Sequence, residues 1–117
     1  MPNYSFGAFE RLEYHVLLAL AGGPLYGYAI KDAIANESGG SLAPRAGSLY
    51  RVLARLMTSG LVTETDAGGA EEPHPGLARR YYKLTASGKR ALAAEAYRLK
   101  HTAAIAEKRL GIARGRS

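Results

Sequence analysis

The sequence predicts a mainly α chain of the α+β class, and three observations carry that prediction. The run from Ala46 to Thr58 is amphipathic at helical period: Leu49, Val52, Leu53, Leu56 and Met57 share one face, with Ser48, Arg51, Arg55 and Thr58 opposite. Two short extended runs, Leu61 to Thr65 and Arg79 to Leu84, flank a loop from Asp66 to Gly76 rich in glycine, proline and acid. A long last helix is expected from Ala86 to beyond Leu110, in which apolar residues recur at four- and three-residue steps from Leu92 to Leu110.

Taken in order, a first helix is expected from Phe9 to Ala21, burying Phe9, Leu12, Val16 and Leu20 with Leu17 beside them. Gly22-Gly23 stops it, because glycine adopts the left-handed cap conformation cheaply, and Pro24 prevents continuation. A second helix is expected from Tyr26 to Asn36, with Ile30, Ala33 and Ile34 on its apolar side. Ser38-Gly39-Gly40-Ser41 marks a turn. The third helix starts near Arg45 and Ala46 without a strong N-cap side chain and ends at Gly60. The extended runs then pair antiparallel as a two-stranded wing. Thr85 caps the last helix, which frays after Gly111. This order is that of a winged helix-turn-helix with an added C-terminal helix. The expected division is a winged-helix domain over residues 1–85 and a dimerisation helix with a frayed tail over residues 86–117.

A chain of 117 residues, 47% apolar, buries one modest core and is not disordered. It has no cysteine, so disulfides and thiolate metal sites are excluded. The start, Met1 to Phe6, lacks the basic and apolar regions of a signal peptide, and the longest apolar run, Val16 to Ala21, is too short to span a bilayer. A cytoplasmic, nucleoid-associated bacterial protein is therefore expected, with no membrane partner. His15, His74 and His101 show no metal-ligand spacing, and the flexible Glu71-Glu72-Pro73-His74 run makes a poor cage. No catalytic Ser-His-Asp or Cys-His arrangement and no phosphate-cradling glycine loop is present. No cofactor, metal or enzymatic activity is expected.

The formal charge is +6, and its distribution is uneven. From Ser38 to Thr63 there are three cations, Arg45, Arg51 and Arg55, and no acid. From Leu77 to Ala94 there are five, Arg79, Arg80, Lys83, Lys89 and Arg90, again with no acid. Acids gather at Glu10 and Glu13 and in the loop at Asp66, Glu71 and Glu72. A helix face of cations and small hydrogen-bonding groups suits a DNA major groove. On it, Arg51 and Arg55 are placed to fork onto guanine or clamp a phosphate, against the alternative of plain solvated arginines. Ser48 bonds a phosphate or base edge, or caps the helix start. Arg45 stands at the helix entrance, where the dipole also favours a phosphate. In the second wing strand Leu84 points to the core, so alternation turns Arg79, Tyr81 and Lys83 outward toward the backbone or minor groove. Lys31 and Tyr28 on the second helix are weaker candidates for backbone contacts, with Tyr28 otherwise a core residue. The acidic wing tip should repel phosphate, and is expected to hang away from the duplex or be disordered.

On the last helix, Leu92, Ala96, Leu99, Ala103, Ala106 and Leu110 follow four-three-four-three-four spacing, a heptad seam. Half of it is alanine, which lets helix axes approach closely. A second copy of the chain is the simplest partner; folding back on its own domain, or lying on a membrane surface, are the alternatives. A homodimer would place two third helices on half-sites of a pseudo-palindrome about 34 Å apart. Tyr97 and His101, with Ile105, form a second stripe that either lines an effector cleft or widens the seam.

Several runs together resemble the PadR family of bacterial transcriptional regulators, in its short form with one C-terminal helix. They are Leu17-Leu18-Ala19-Leu20 leading to Gly23-Pro24-Leu25-Tyr26-Gly27-Tyr28-Ala29-Ile30; Gly47-Ser48-Leu49-Tyr50-Arg51-Val52-Leu53 with Leu56 and Gly60-Leu61-Val62; and Arg80-Tyr81-Tyr82-Lys83-Leu84-Thr85 with Gly88 and Leu92. The resemblance spans Leu12 to Leu110. It implies a dimeric repressor that binds a double-stranded operator and is released by a small aromatic or hydrophobic molecule. It also implies a backbone contact from the Tyr50 hydroxyl; otherwise Tyr50 is a half-buried packing ring. Tyr26 stands where the family often has histidine. The family's dimer helix can carry a tryptophan that stacks on aromatic effectors, and this chain has none. The alternatives are a winged helix used only for protein contacts, which calls for an apolar outer face on the third helix, and an RNA binder.

Overall fold

The computed structural model describes residues 10–66 and 80–112. Its elements are α1 (Arg11–Leu20), β1 (Leu25–Tyr26), α2 (Gly27–Glu37), α3 (Ala46–Thr58), β2 (Val62–Thr65), β3 (Tyr81–Leu84) and α4 (Ala86–Leu110). The sheet is three-stranded and antiparallel in the order β1-β3-β2: the wing strands β2 and β3 pair as the sequence suggests, and one further strand joins them. The additional strand is the dipeptide before α2, whose Leu25 and Tyr26 pair with Tyr82 and Tyr81. Pro24 forces an extended entry, and Tyr26 stays extended (φ −92°, ψ 167°) as the N-cap of α2, so the second helix starts one residue later than its pattern suggests. Phe9, expected in the first helix, lies outside the described residues, as does the loop over residues 67–79.

One core joins all the helices to the sheet. Leu17 of α1, Ile30 and Ile34 of α2, and Leu49, Leu53 and Leu56 of α3 are fully buried, with Val62, Tyr82 and Leu84 from the strands. Each such aliphatic side chain contributes about 1.5–3 kcal/mol relative to its exposed state. The turn between α2 and α3 is pinned by Ser38, whose hydroxyl accepts the Leu42 N–H at 2.9 Å. That short connection fixes α3 across α2.

A second junction ties the end of α3 to the start of α4. Gly60 has φ +79°, a left-handed conformation that favours glycine, and it turns the chain out of α3 into β2. The Thr85 hydroxyl donates to the Gly60 carbonyl at 2.6 Å and accepts the Gly88 N–H at 2.9 Å, which makes it the N-cap of α4. The Thr85 N–H donates to the Leu61 carbonyl at 3.0 Å. Gly88 lies so close to that carbonyl that an added Cβ would overlap it. Helix α4 then buries Ala91 and half-buries Leu92 on the core, while its later turns are largely exposed.

Candidate nucleic-acid interface

Helix α3 carries its apolar residues inward as the sequence requires, which leaves a strip of Gly47, Arg51, Ala54 and Thr58 as its most outward line. All four are exposed. Gly47 and Ala54 were not singled out by sequence, yet they stand one turn to either side of Arg51. Small residues there let the helix backbone approach a surface closely while Arg51 projects from it. The signal in the sequence was their lack of bulk at four- and three-residue steps from Arg51. Ser48, half-buried, and Arg55 flank the strip on one side, and Tyr50 flanks it on the other. Arg45 is exposed at the N-cap of α3 and makes no side-chain cap bond, so no side chain of its own caps the helix's first N–H groups.

Arg55 differs from Arg51. Its Nη2 donates to Oε2 of Glu13 in α1 at 3.2 Å, and Glu13 is only 3% exposed. The α3 face itself has no acid, as the sequence suggests, but the fold supplies one from 42 residues away. Both arginines of this face are exposed, and one of them is ion-paired.

Tyr50 leans its ring over Gly27 at the start of α2, and its hydroxyl fills the space that a Cβ would take there. The ring remains 48% exposed, so it is both packed and reachable. Tyr28, beside it on α2, is exposed rather than core, with the Lys31 ammonium 6.0 Å from its ring centre.

On the sheet, Lys83 is exposed, paired in register with Thr63. Tyr81 is not: it is only 3% exposed, against the expectation that it faces outward. Strand alternation does put it on the face away from Tyr82, but β1 adds Tyr26 directly opposite. Those two rings meet edge to face at 5.5 Å and close that position. Arg79 lies outside the described residues. Arg80 pairs with Glu64 at 3.3 Å on the surface, and its pKa is raised first by a hydrogen bond to Tyr82 and then by the Glu64 carboxylate. A pair so exposed adds little to stability.

On α4, Ala96, Leu99, Ala103, Ala106 and Leu110 of the seam are exposed, whereas Leu92 is half-buried against the core. Leu92 and Ala96 also line a groove of about 350 Å³ between α1 and α4, with Tyr14, Leu18, Ala21, Leu84, Lys89 and Ala93. Tyr97 and His101 stack in parallel, 6.4 Å apart, with Tyr97 72% exposed. At about 100° per residue, the pair stands on the far side of α4 from Leu92 and Leu99, so it does not widen the seam. Among the described residues no helix is long and apolar enough to cross a membrane.

Known proteins share this arrangement. The profile of the transcriptional regulator PadR-like family matches residues 16–94. An uncharacterised 37.1 kDa protein of transposon TN4556 from Streptomyces fradiae is 44% identical over 82 residues. That match covers 70% of this chain and 21% of the relative, so the chain spans about a fifth of the curated protein's length. A PadR-like transcription factor from Bacteroides fragilis superposes with a TM-score of 0.64 at 30% identity, covering 87% of this chain and 89% of that one. Bacillus subtilis PadR, solved in complex with operator DNA, gives a TM-score of 0.59 at 28% identity over 72% of this chain and 45% of that one. A PadR family regulator from Clostridium difficile R20291 shares the fold with a TM-score of 0.69 at 22% identity, covering 86% of this chain and 99% of that one. With its helices, its small antiparallel sheet and a family match that spans most of its length, the chain belongs to the PadR-like family of transcriptional regulators.

Proposed function

We propose that the protein is a homodimeric repressor that binds a pseudo-palindromic double-stranded operator through α3. The carrying observation is the outward strip of α3, where exposed Arg51 stands between Gly47 and Ala54 with Tyr50 at its flank. In this reading Arg51 and Ser48 read base edges, and Arg45, Tyr50 and Lys83 grip the backbone, the division of labour expected of base and phosphate contacts. Arg79 belongs to the same grip by sequence. The operator-bound Bacillus subtilis PadR supports DNA as the partner. A strip of this composition offers nothing to an apolar protein partner, which disfavours the protein-contact alternative.

The exposed seam of α4 supports the dimer, because Leu110 is 73% exposed and Leu99 37% exposed in the single chain. A partner helix laid on the seam would roof the α1–α4 groove at Leu92 and Ala96. An effector in this reading is a small apolar or aromatic molecule held under that roof, and its entry shifts α4 relative to α1.

Selection of bound sequences from a random duplex pool tests the proposal. Two inverted half-sites centred about 34 Å apart are expected. Recovery of no common sequence, or of a single unpaired half-site, would contradict it.

A further inference from the structure

Glu13 is one of two buried acids among the described residues, and its carboxylate has two separate duties. Oε1 accepts the Glu10 N–H at 2.9 Å and so closes the capping box at the start of α1. Oε2 accepts from Arg55 in the last turn of α3 at 3.2 Å. The other buried acid, Glu95, pairs with Arg98 three residues along its own helix and joins no two elements. The Glu13–Arg55 pair is therefore the long-range ion pair that couples α1 to the helix proposed to read DNA.

We propose that Glu13 sets which arginine of α3 reads DNA. It holds Arg55 as a positioning residue against α1 and leaves Arg51 as the reader. This rests on the DNA-binding role of α3 given above.

Two partners compete for each arginine, and burial decides between them. An exposed arginine exchanges water and counterions for a phosphate, which costs it no protein contact. The Arg55 side chain is itself 48% exposed, but to swing out to a phosphate its Nη2 would have to leave a carboxylate that is almost wholly shielded from solvent. A buried charge stripped of its partner is strongly destabilising, and a phosphate on Arg55 does nothing to compensate Glu13. The pair therefore persists on DNA, and Arg55 adds no phosphate contact. Its place on the flank of the outward strip, toward α1, agrees with that role.

The test measures binding of the full chain to an arbitrary 30-base-pair duplex across a potassium chloride series, by fluorescence anisotropy. The readout is the slope of log K against log salt, which changes by about 0.9 for each phosphate that the protein neutralises or releases per binding site. Lys83→Gln, at a proposed backbone contact, is expected to make the slope shallower by that step, while Arg51→Gln, at a base contact, leaves it near the parental value. Glu13→Gln is expected to make the slope steeper, because the buried carboxylate no longer holds the Arg55 guanidinium against α1. Glu13→Gln with Arg55→Gln is expected to restore the parental slope.

A double variant with a slope as shallow as that of Lys83→Gln would overturn the proposal, as would an unchanged slope in Glu13→Gln. An Arg51→Gln protein that kept the parental preference for the selected operator over the arbitrary duplex would instead count against the α3 reading itself. Should a variant fail to fold, the wild-type protein still decides. The Arg55 guanidinium resonances, assigned by their loss in Arg55→Lys, are expected to stay in place on addition of duplex while those of Arg51 shift. Movement of the Arg55 signals with those of Arg51 would overturn the proposal.

Discussion

Single residues in this chain are distinguished by what the fold brings against them. Arg51 and Arg55 are chemically identical and one turn apart, yet only one is tied to a buried acid. Tyr50 is held in place by the missing Cβ of Gly27. Gly27→Ala should displace the far end of a side chain that can swing away, so thermal stability should change by less than about 1 kcal/mol. Duplex affinity should nonetheless fall as it does in Tyr50→Phe, checked by melting and anisotropy on the same samples. Equal affinities for Gly27→Ala and the parent would remove Tyr50 from the interface. The outward position of Arg51 was legible because helical period alone fixes it. The pairing of Arg55 was not, because periodicity within α3 carries no information about α1. Tyr81 was misplaced for a related reason: alternation assigned its face correctly, but the neighbour that covers it, Tyr26, comes from a two-residue strand too short to leave a pattern.

Elements are joined here by few, specific contacts, and these predict where stability resides. Gly88 meets the Leu61 carbonyl at the point where α4 leaves the sheet. A methyl there strikes backbone rather than a movable side chain, so Gly88→Ala should destabilise by about 1–3 kcal/mol, measured by denaturant titration. A neutral substitution would mean that α4 is not seated on β2 as described. The Thr85 cap was legible from its place before a helical run. The Gly88 contact was not, since glycine within a helix reads locally only as a weak helix former.

Between α1 and α2, His15 lies 3.7 Å from Glu37. Burial pushes the Glu37 carboxyl above its ordinary value of 4.5, outweighing the opposing pull of His15. The folded state therefore prefers protonated Glu37: that contribution is full below pH 4.5 and is lost as pH rises through the raised value. Glu37→Gln should melt higher than the parent near neutral pH and converge with it below pH 4.5, by calorimetry across a pH series. A lower melting temperature at neutral pH would show that the His15 contact dominates.

The molecule as a whole is elongated. Its radius of gyration is 16.0 Å, against about 13–14 Å for a compact chain of this length, and its long axis is 56 Å. The 25-residue α4 accounts for the difference, since a helix of that length spans about 37 Å. Its seam is thereby presented outside the core, and the proposed dimer follows from that shape. Ala103 is exposed in the single chain, so Ala103→Glu should leave the circular dichroism spectrum unchanged. Light scattering after size exclusion should then report a monomer where the parent is a dimer. A dimeric Ala103→Glu would move the interface elsewhere. The mainly helical order and the end of α4 were legible in the sequence at this scale, because long periodic runs and glycine stops are local signals. The sheet order was not, because β1 is defined only by its partner.

The proposal that α3 reads sequence through Arg51 is tested most directly by the affinity of Arg51→Ala for the selected operator and for a scrambled duplex, at one fixed salt concentration. The predicted result is a loss of roughly 10- to 100-fold on the operator and a much smaller loss on the scrambled duplex, so that the specificity ratio collapses. Equal losses on both duplexes, or no loss on the operator, would contradict it.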